Sequence, residues 1–362
     1  MFGSKGNEMT IYIILYITNI IAGIVFIPYF KKGKTLYLLF TFLQLALLGG
    51  FRGITVGTDT AAYHDIFYKV QETNTLKGLW EIREEFGYVL LNKLVAILGG
   101  GPQLVMFVTS AFIAGGFLIF ITHNSDDIFF SVLLLLSLML YFTSFNGIRQ
   151  YMATVVLLNA YIFLKRKKLL PYLILCVLAI SFHKTALLFV PFYVINLIKW
   201  NQRRVIILLI TIFVLTAFSS LLIDLVVKIL PQYRHYLDTR YFQPTNGVMM
   251  PIVFFTIFAF VAFIFFVAKP YEDKDFSNWI IFFSFLLFLT VVGVTSSSIA
   301  NRLGWYLSPY LIVLIPKALK YLPTTAKTIS TFGIGLMGFA YFVYCLSIEW
   351  QEVVPYVFYW NM

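Results

Sequence analysis

Five short polar constellations interrupt a chain that is otherwise 60% hydrophobic. The first is Phe51-Arg52-Gly53-Ile54-Thr55-Val56-Gly57-Thr58-Asp59-Thr60-Ala61-Ala62-Tyr63. Glycines flank an arginine and an aspartate, so the backbone can turn tightly and approach a ligand. The arginine suits bidentate phosphate binding; the plainer reading is a snorkelling arginine with a capping aspartate. The second, Glu84-Glu85-Phe86-Gly87-Tyr88, offers two adjacent carboxylates as a general base, or an acidic helix start. The third, Asn146-Gly147-Ile148-Arg149-Gln150 with Ala153, puts a charge at the head of an apolar block. That is expensive unless the charge faces a cavity or partner, or snorkels to the headgroups. The fourth, Ser181-Phe182-His183-Lys184-Thr185, sets a histidine at a hairpin tip, either an acid–base group near neutral pH or a hydrogen-bonded turn residue. The fifth, Asn301-Arg302-Leu303-Gly304-Trp305-Tyr306, follows Ser296-Ser297-Ser298 and again opens an apolar block with one arginine. Arg234, His235 and Arg240 sit beside Asp238, Gln243 and Asn246 and read as plain loop residues.

Other chemistries are missing from the sequence. There is no Gly-x-x-x-x-Gly-Lys-Ser/Thr loop and no His-Glu-x-x-His or dense ligand cluster, so no metal and no cofactor are expected. There is no Gly-x-Ser-x-Gly elbow. Asp273-Lys274-Asp275 resembles a nucleotide-sugar metal motif in form only and reads as solvated surface. Cys176 and Cys345 both lie inside apolar blocks and imply no disulfide framework. What remains is three isolated arginines, two carboxylate positions and a histidine. Several arginines without a metal suit a pyrophosphate at a membrane surface, and a lipid pyrophosphate is such a molecule.

The elements that must position these residues are membrane helices. Charged residues make up 12% of the chain and mean hydropathy is +0.86; soluble chains carry about 25% charged residues. The apolar blocks run at 9–30, 35–51, 102–122, 128–145, 147–164, 169–183, 184–199, 204–224, 248–268, 276–294, 302–320 and 329–347. Each is close to the length that crosses a hydrocarbon core of ~30 Å. The expected fold is therefore all-α and polytopic, a single transmembrane domain over 1–362 with about twelve spans. The piece 86–101 carries Asn92 and Lys93 and ends in Gly99-Gly100-Gly101-Pro102, which predicts a re-entrant or interfacial helix. The first block reads as a retained helix, because no small-residue cleavage site accompanies it.

Net charge is +11. The basic residues bunch in short loops as topology signals, so nucleic acid is not an expected partner. Lys31, Lys32 and Lys34, then Lys165 to Lys168, then Lys199, Arg203 and Arg204, then Lys317, Lys320 and Lys327 all fall inside if both termini lie outside. Loops 52–85 and 225–247 are then the extracytoplasmic face. Arg52, Asp59, Glu85, Arg149, His183 and Arg302 all fall on that face or at outer helix ends.

The order Arg-x4-Gly-x-Asp-x3-Tyr (Arg52 to Tyr63), Glu-Phe-Gly-Tyr (85–88), Ile-Arg-Gln-x2-Ala (148–153), Phe-His-Lys-Thr-Ala (182–186) and Arg-x3-Tyr (302–306) resembles the EpsG family. These are Wzy-like polysaccharide polymerases of bacterial capsule and exopolysaccharide clusters, and the likeness spans about 10 to 347. Lys184 follows the histidine where a small or polar residue is expected. The resemblance implies a fold related to the all-helical membrane glycosyltransferases. It implies transfer of a growing glycan from undecaprenyl pyrophosphate to the non-reducing end of a lipid-linked repeat unit, at the outer face of the cytoplasmic (inner) membrane. It also implies a flippase and a chain-length regulator as partners.

On these residues the expected mechanism has Arg149, Arg302 and Arg52 hold the leaving pyrophosphate. Asp59 or Glu85 takes the proton of the attacking hydroxyl, with His183 as the alternative base or an orienting group. Tyr63, Tyr88 and Tyr306 either stack on sugar rings or anchor at the interface. A flippase or transporter would place charges at mid-membrane and show internal repeats. A glycan acyltransferase would need key residues reaching the inner side.

Overall fold

The computed structural model describes residues 2–218, 221, 228, 249–295 and 298–361. Apart from Lys228, the expected outer loop 225–247 lies outside the described residues, and so do Arg234, His235, Arg240, Ser296 and Ser297. Among the described residues there are helices and no strand, beyond an isolated antiparallel bridge between Arg52 and Phe358.

In chain order the helices are α1 (Phe2–Tyr29), α2 (Gly33–Gly50), α3 (Thr60–Glu72), α4 (Leu76–Glu81), α5 (Phe86–Ile97) and α6 (Pro102–Asn124). Next come α7 (Ile128–Ser137), α8 (Leu140–Thr143), α9 (Ile148–Lys165), α10 (Leu169–Phe182), α11 (Phe192–Leu197) and α12 (Gln202–Ala217). The last are α13 (Met249–Ala268), α14 (Lys274–Thr295), α15 (Ser298–Gly304), α16 (Leu311–Leu319) and α17 (Thr324–Ser347). Six of the described helices are long and apolar enough to cross a membrane: α1 from Met9, α2, α6, α13, α14 and α17. The chain is a multi-pass, all-helical membrane protein.

Several of the twelve expected blocks take shorter or broken forms. Block 128–145 breaks where Met139 adopts a left-handed φ of 58°, dividing α7 from α8. A left-handed residue ends the i to i−4 ladder. Block 184–199 becomes a 3-10 segment, Lys184–Phe189, and the short α11, with Pro191 between them. Block 302–320 divides into α15, a 3-10 turn at Ser308–Tyr310 and α16. Such breaks leave backbone groups that only protein or water can satisfy. α9, by contrast, runs unbroken and is buried along nearly its whole length.

The piece at 86–101 is the helix α5, 12 residues long, or about 18 Å. That is well short of the hydrocarbon core. It stops in a Schellman turn: Gly99 has φ 76° and its N–H bonds Ala96 O at 3.0 Å, while Gly100 N–H bonds Val95 O at 2.9 Å. Its lysine is accounted for as well. Lys93 Nζ donates to Val70 O (3.4 Å), Gln71 O (3.1 Å) and Thr73 O (2.8 Å), capping the C-terminal end of α3.

The chain forms two compact units, Met1–Pro191 with Ile329–Met362, and Phe192–Thr328. In the first, glycines let helices approach closely, as in membrane packing generally. Gly49 lies against Ser110 and Tyr141, Gly50 against Phe107, and Gly116 against Val155. A polar network of Thr18, Asn19, Thr41 and Gln44 joins α1 to α2, with Asn19 and Thr41 fully buried. In the second unit α14 is buried along most of its length, and its Asn278 donates to Asn196 Oδ1 at 2.9 Å. Asp273 caps α14 through Phe276 N–H (3.1 Å), accepts from Tyr321 (2.9 Å) and lies 3.5 Å from Lys317 Nζ. Asp273, read from sequence as solvated surface, is thus half-buried and held by three partners.

Candidate functional site

Glu85 ends an extended loop and serves as the N-cap residue of α5. Its carboxylate is buried and reached by three groups from two distant parts of the chain. Arg149, in the first turn of α9, places a guanidinium nitrogen 2.5 Å from Oε2. His183, which follows the last turn of α10, places Nδ1 2.9 Å from Oε1. The Lys184 backbone N–H donates to the same Oε1 at 3.3 Å. Nδ1 lies within reach of Oε1 without the alignment of a directed hydrogen bond. The Lys184 side chain is exposed, so what this position brings to Glu85 is a backbone donor.

Burial by itself would raise the Glu85 carboxyl. The His183 imidazole and the Arg149 guanidinium outweigh it and hold the group down at about 2, from an ordinary 4.5. Arg149 keeps 27% of its side chain exposed. A guanidinium has five donors in a fork, so one bond to Glu85 does not exhaust it. α9 begins after Gly147, which brings no side-chain cap, and a helix start of that kind attracts anions.

Polar groups continue around this centre. The Tyr63 hydroxyl faces the Arg149 guanidinium and donates to Asn146 O at 3.1 Å. Tyr63 and Tyr88 meet edge to face, with centroids 5.7 Å apart. Glu84 adds a second negative charge in the neighbourhood of Arg149. Glu84 Oε2 and Asn146 Oδ1 are buried without a hydrogen-bond partner, and the Tyr88 hydroxyl has Asn92 beside it. Buried polar atoms left unsatisfied in this way mark a place built for something other than packing.

Asp59 lies at the N-cap position of α3, half-buried, and takes a hydrogen bond from Thr58 Oγ1 at 3.1 Å. Its backbone carbonyl starts the helix that carries Tyr63. The first unit thus brings Asp59, Tyr63, Glu85, Tyr88, Arg149 and His183 to one end of its helices.

Other expected site residues, Arg52, Tyr63, Tyr88, Tyr306 and Arg302, lie in different surroundings. Arg52 is fully buried. Its guanidinium donates to Gly49 O, to Ser110 Oγ (3.2 Å) and to Met106 Sδ (3.3 Å), and lies 4.5 Å from the Phe145 ring centre. Burial lowers its pKa. A guanidinium enclosed in this way joins α2 to α6 and presents no fork to a ligand. Tyr63 and Tyr88 are buried, so they offer hydroxyls and edges to their neighbours and no open ring face to a sugar. Tyr306 is buried within the second unit, whereas Arg302 is exposed there with its guanidinium 5.8 Å from the Trp305 ring centre. No group of three or more metal-binding side chains occurs among the described residues.

The sequence reading missed the C-terminal segment 349–361, which returns to residues 51–57. Gly57 N–H donates to Glu352 O (2.8 Å), Gly53 N–H to Val357 O (2.7 Å) and Tyr359 N–H to Phe51 O (3.0 Å). Asn146 Nδ2 donates to both Gln351 O (2.8 Å) and Gln351 Oε1 (2.7 Å). The signal available in sequence was slight: a run of aromatic residues, Tyr356, Phe358, Tyr359 and Trp360, after the last apolar block.

The model of the EpsG family matches residues 34–358, nearly the whole chain. No curated protein and no solved structure matches it.

Proposed function

Because the chain belongs to the EpsG family, we propose that it is a Wzy-like polymerase of an exopolysaccharide. In this reading it moves a growing glycan from undecaprenyl pyrophosphate to the non-reducing end of a lipid-linked repeat unit, at the outer face of the cytoplasmic membrane. Both termini lie on that face, and a flippase and a chain-length regulator act beside it. One observation carries the proposal: a buried carboxylate clamped between a guanidinium and an imidazole, at the end of the bundle where the loop of Asp59 also lies.

The geometry assigns roles more narrowly than residue type does. A general base works best with a pKa near the working pH. Glu85, held at about 2, is too weak a base for a sugar hydroxyl. It orients His183 by engaging Nδ1, which leaves Nε2 for the attacking hydroxyl. Asp59 is the second candidate base, since its carboxylate is only half-buried and takes a single weak bond from Thr58. Arg149 grips the leaving pyrophosphate with the donors that Glu85 does not use, and aimed charge of this kind is worth several kcal/mol in a dry site. Arg302, exposed in the second unit, is assigned pyrophosphate binding on the chemistry of its side chain. Arg52 has a supporting role, fixing the loop that leads to Asp59.

The test is elongation of a lipid-linked repeat unit by the purified full-length protein in lipid, read as a ladder of products. His183→Ala and Arg149→Ala should each abolish the ladder, and Arg149→Lys should lower it strongly because the fork is lost. An intact ladder in both alanine variants overturns the assignment.

A further inference from the structure

α17 ends at Ser347, and the chain after it folds back into a strap held in an unusual backbone. Glu349, Gln351 and Glu352 adopt left-handed φ values of 54°, 64° and 52°, though none is glycine. Residues of this kind stay left-handed only where their surroundings enforce it. The enforcement is visible on both sides. Val353 and Val354 are buried, Val353 O accepts from Tyr12 Oη at 2.5 Å, and the bonds to Gly53, Gly57 and Phe51 lash the rest down.

The left-handed turn aims one side chain. With φ at 64°, Gln351 presents its carbonyl oxygen and its Oε1 to the same amide, that of Asn146. Asn146 lies three residues before Arg149. Its own carbonyl takes the Tyr63 hydroxyl, which faces the Arg149 guanidinium. On its other side stands Gly57, where a Cβ would come within 2.6 Å of Asn146 Oδ1. Asn146 is therefore gripped by the strap, by α3 and by the glycine loop, at the point where the chain enters α9.

We propose that Gln351 is a positioning residue for the site of Glu85, Arg149 and His183: it fixes Asn146, and through Asn146 and Tyr63 it sets the height and direction of the Arg149 guanidinium. The strap is thus part of the site through Asn146. This inference rests on the reading of Arg149 as the group that meets the leaving pyrophosphate. A misplacement of about 1 Å at such a group can cost about a hundredfold in rate, so a lost anchor at its base is a measurable event.

Glycine separates fold from positioning at this position. Gln351→Gly removes the side-chain acceptor but relieves the left-handed strain, so the variant keeps or raises the melting temperature. Gln351→Glu keeps an acceptor oxygen at the same reach. The full-length protein in lipid nanodiscs is examined by hydrogen–deuterium exchange at the amides of Asn146, Gly147 and Tyr151, which bond Thr143 O, Thr143 O and Gly147 O. Elongation of a lipid-linked repeat unit is measured in parallel. The expected result for Gln351→Gly is faster exchange at those amides and a fall in kcat of roughly tenfold or more, with KM little changed; Gln351→Glu should stay near the parent in both. The backbone bond from Asn146 Nδ2 to the residue-351 carbonyl stays in this variant, so unchanged exchange in Gln351→Gly overturns the positioning role of the Gln351 side chain. Faster exchange with unchanged kcat overturns its bearing on Arg149. If exchange responds as expected but the parent protein elongates nothing, the link stands and the polymerase reading falls.

Discussion

Glu85 and Arg149 lie 64 residues apart in the chain and 2.5 Å apart in the fold. Neither position is a comfortable one for its charge by itself. Arg149 is a cation in the first turn of a helix, the end where the dipole disfavours positive charge. Glu85 is a carboxylate at 8% exposure, where desolvation disfavours the ionised form. Each is tolerable because of the other, and His183 completes the balance on the second carboxylate oxygen.

The first prediction follows from that mutual dependence. Glu85→Gln keeps the shape and removes the charge, leaving Arg149 without its countercharge and His183 without its carboxylate neighbour. Removing one partner of a buried pair costs about 3–5 kcal/mol, and the partial exposure of Arg149 reduces this to about 2–3 kcal/mol. The melting temperature in detergent should fall by several degrees. Elongation should fall by at least about a hundredfold, because the imidazole loses its orienting partner. A Glu85→Gln protein that melts and elongates like the parent contradicts the clamp.

Acid should expose the same linkage. The Glu85 carboxyl is depressed in the folded protein, to about 2 from an ordinary 4.5. A depressed carboxyl stabilises the fold fully above its unfolded pKa and loses that contribution as pH falls through the folded value. The window is therefore pH 4.5 down to about 2, and the amount at stake is about 3 kcal/mol. Thermal melts across this range should show a loss in the parent protein that is smaller in Glu85→Gln by about that amount. Parallel curves for the two proteins would mean that the carboxylate is not held by its neighbours.

Gly57 tests the loop. Its φ is 95°, which L side chains rarely adopt, and its added Cβ would meet Asn146 Oδ1 at 2.6 Å. Gly57→Ala therefore combines backbone strain of about 1–3 kcal/mol with displacement of Asn146. Both stability and elongation should drop. The neighbouring Thr58 is exposed, does not hold Asn146 and gives Asp59 one hydrogen bond; in stability it should tolerate alanine within about 0.5 kcal/mol. Equal tolerance at both positions would remove the argument that the glycine is there for geometry.

The comparison of sequence with fold turns on what kind of signal each feature leaves. Glu85, Arg149 and His183 could be picked out because a charge or an imidazole beside an apolar block is conspicuous by type. Their mutual contact could not, since nothing in three separate motifs says which oxygen meets which nitrogen. Arg52 was conspicuous for the same reason and proved to be enclosed by Gly49, Ser110, Met106 and Phe145; residue type marks an expensive group without telling whether a ligand or the fold satisfies it. The break at Met139 was hidden because Leu133 to Leu140 is apolar apart from Ser137, and hydropathy does not register one residue turning left-handed. The strap was hidden for a further reason. Gln351 reaches Asn146 across 205 residues through an amide–amide pair, and such pairs leave no pattern in one sequence.

Arg52 yields the last prediction, and it separates support from catalysis. A buried guanidinium with no carboxylate beside it is held by a carbonyl, a hydroxyl, a thioether and an aromatic face. Arg52→Ala would leave a cavity the size of a long side chain and strip Gly49 O and Ser110 Oγ of a donor. The expected cost is about 2–4 kcal/mol, read as a marked fall in melting temperature. Arg52→Met fills much of the volume without a charge to bury, and replacing a buried ion by an apolar side chain of similar size is often neutral for stability. Arg52→Met should therefore fold, and it should elongate within about threefold of the parent if the arginine only supports the loop to Asp59. A well-folded Arg52→Met protein that has lost elongation about a hundredfold or more would mean that this guanidinium reaches the pyrophosphate after all, and would return Arg52 to the group that holds it.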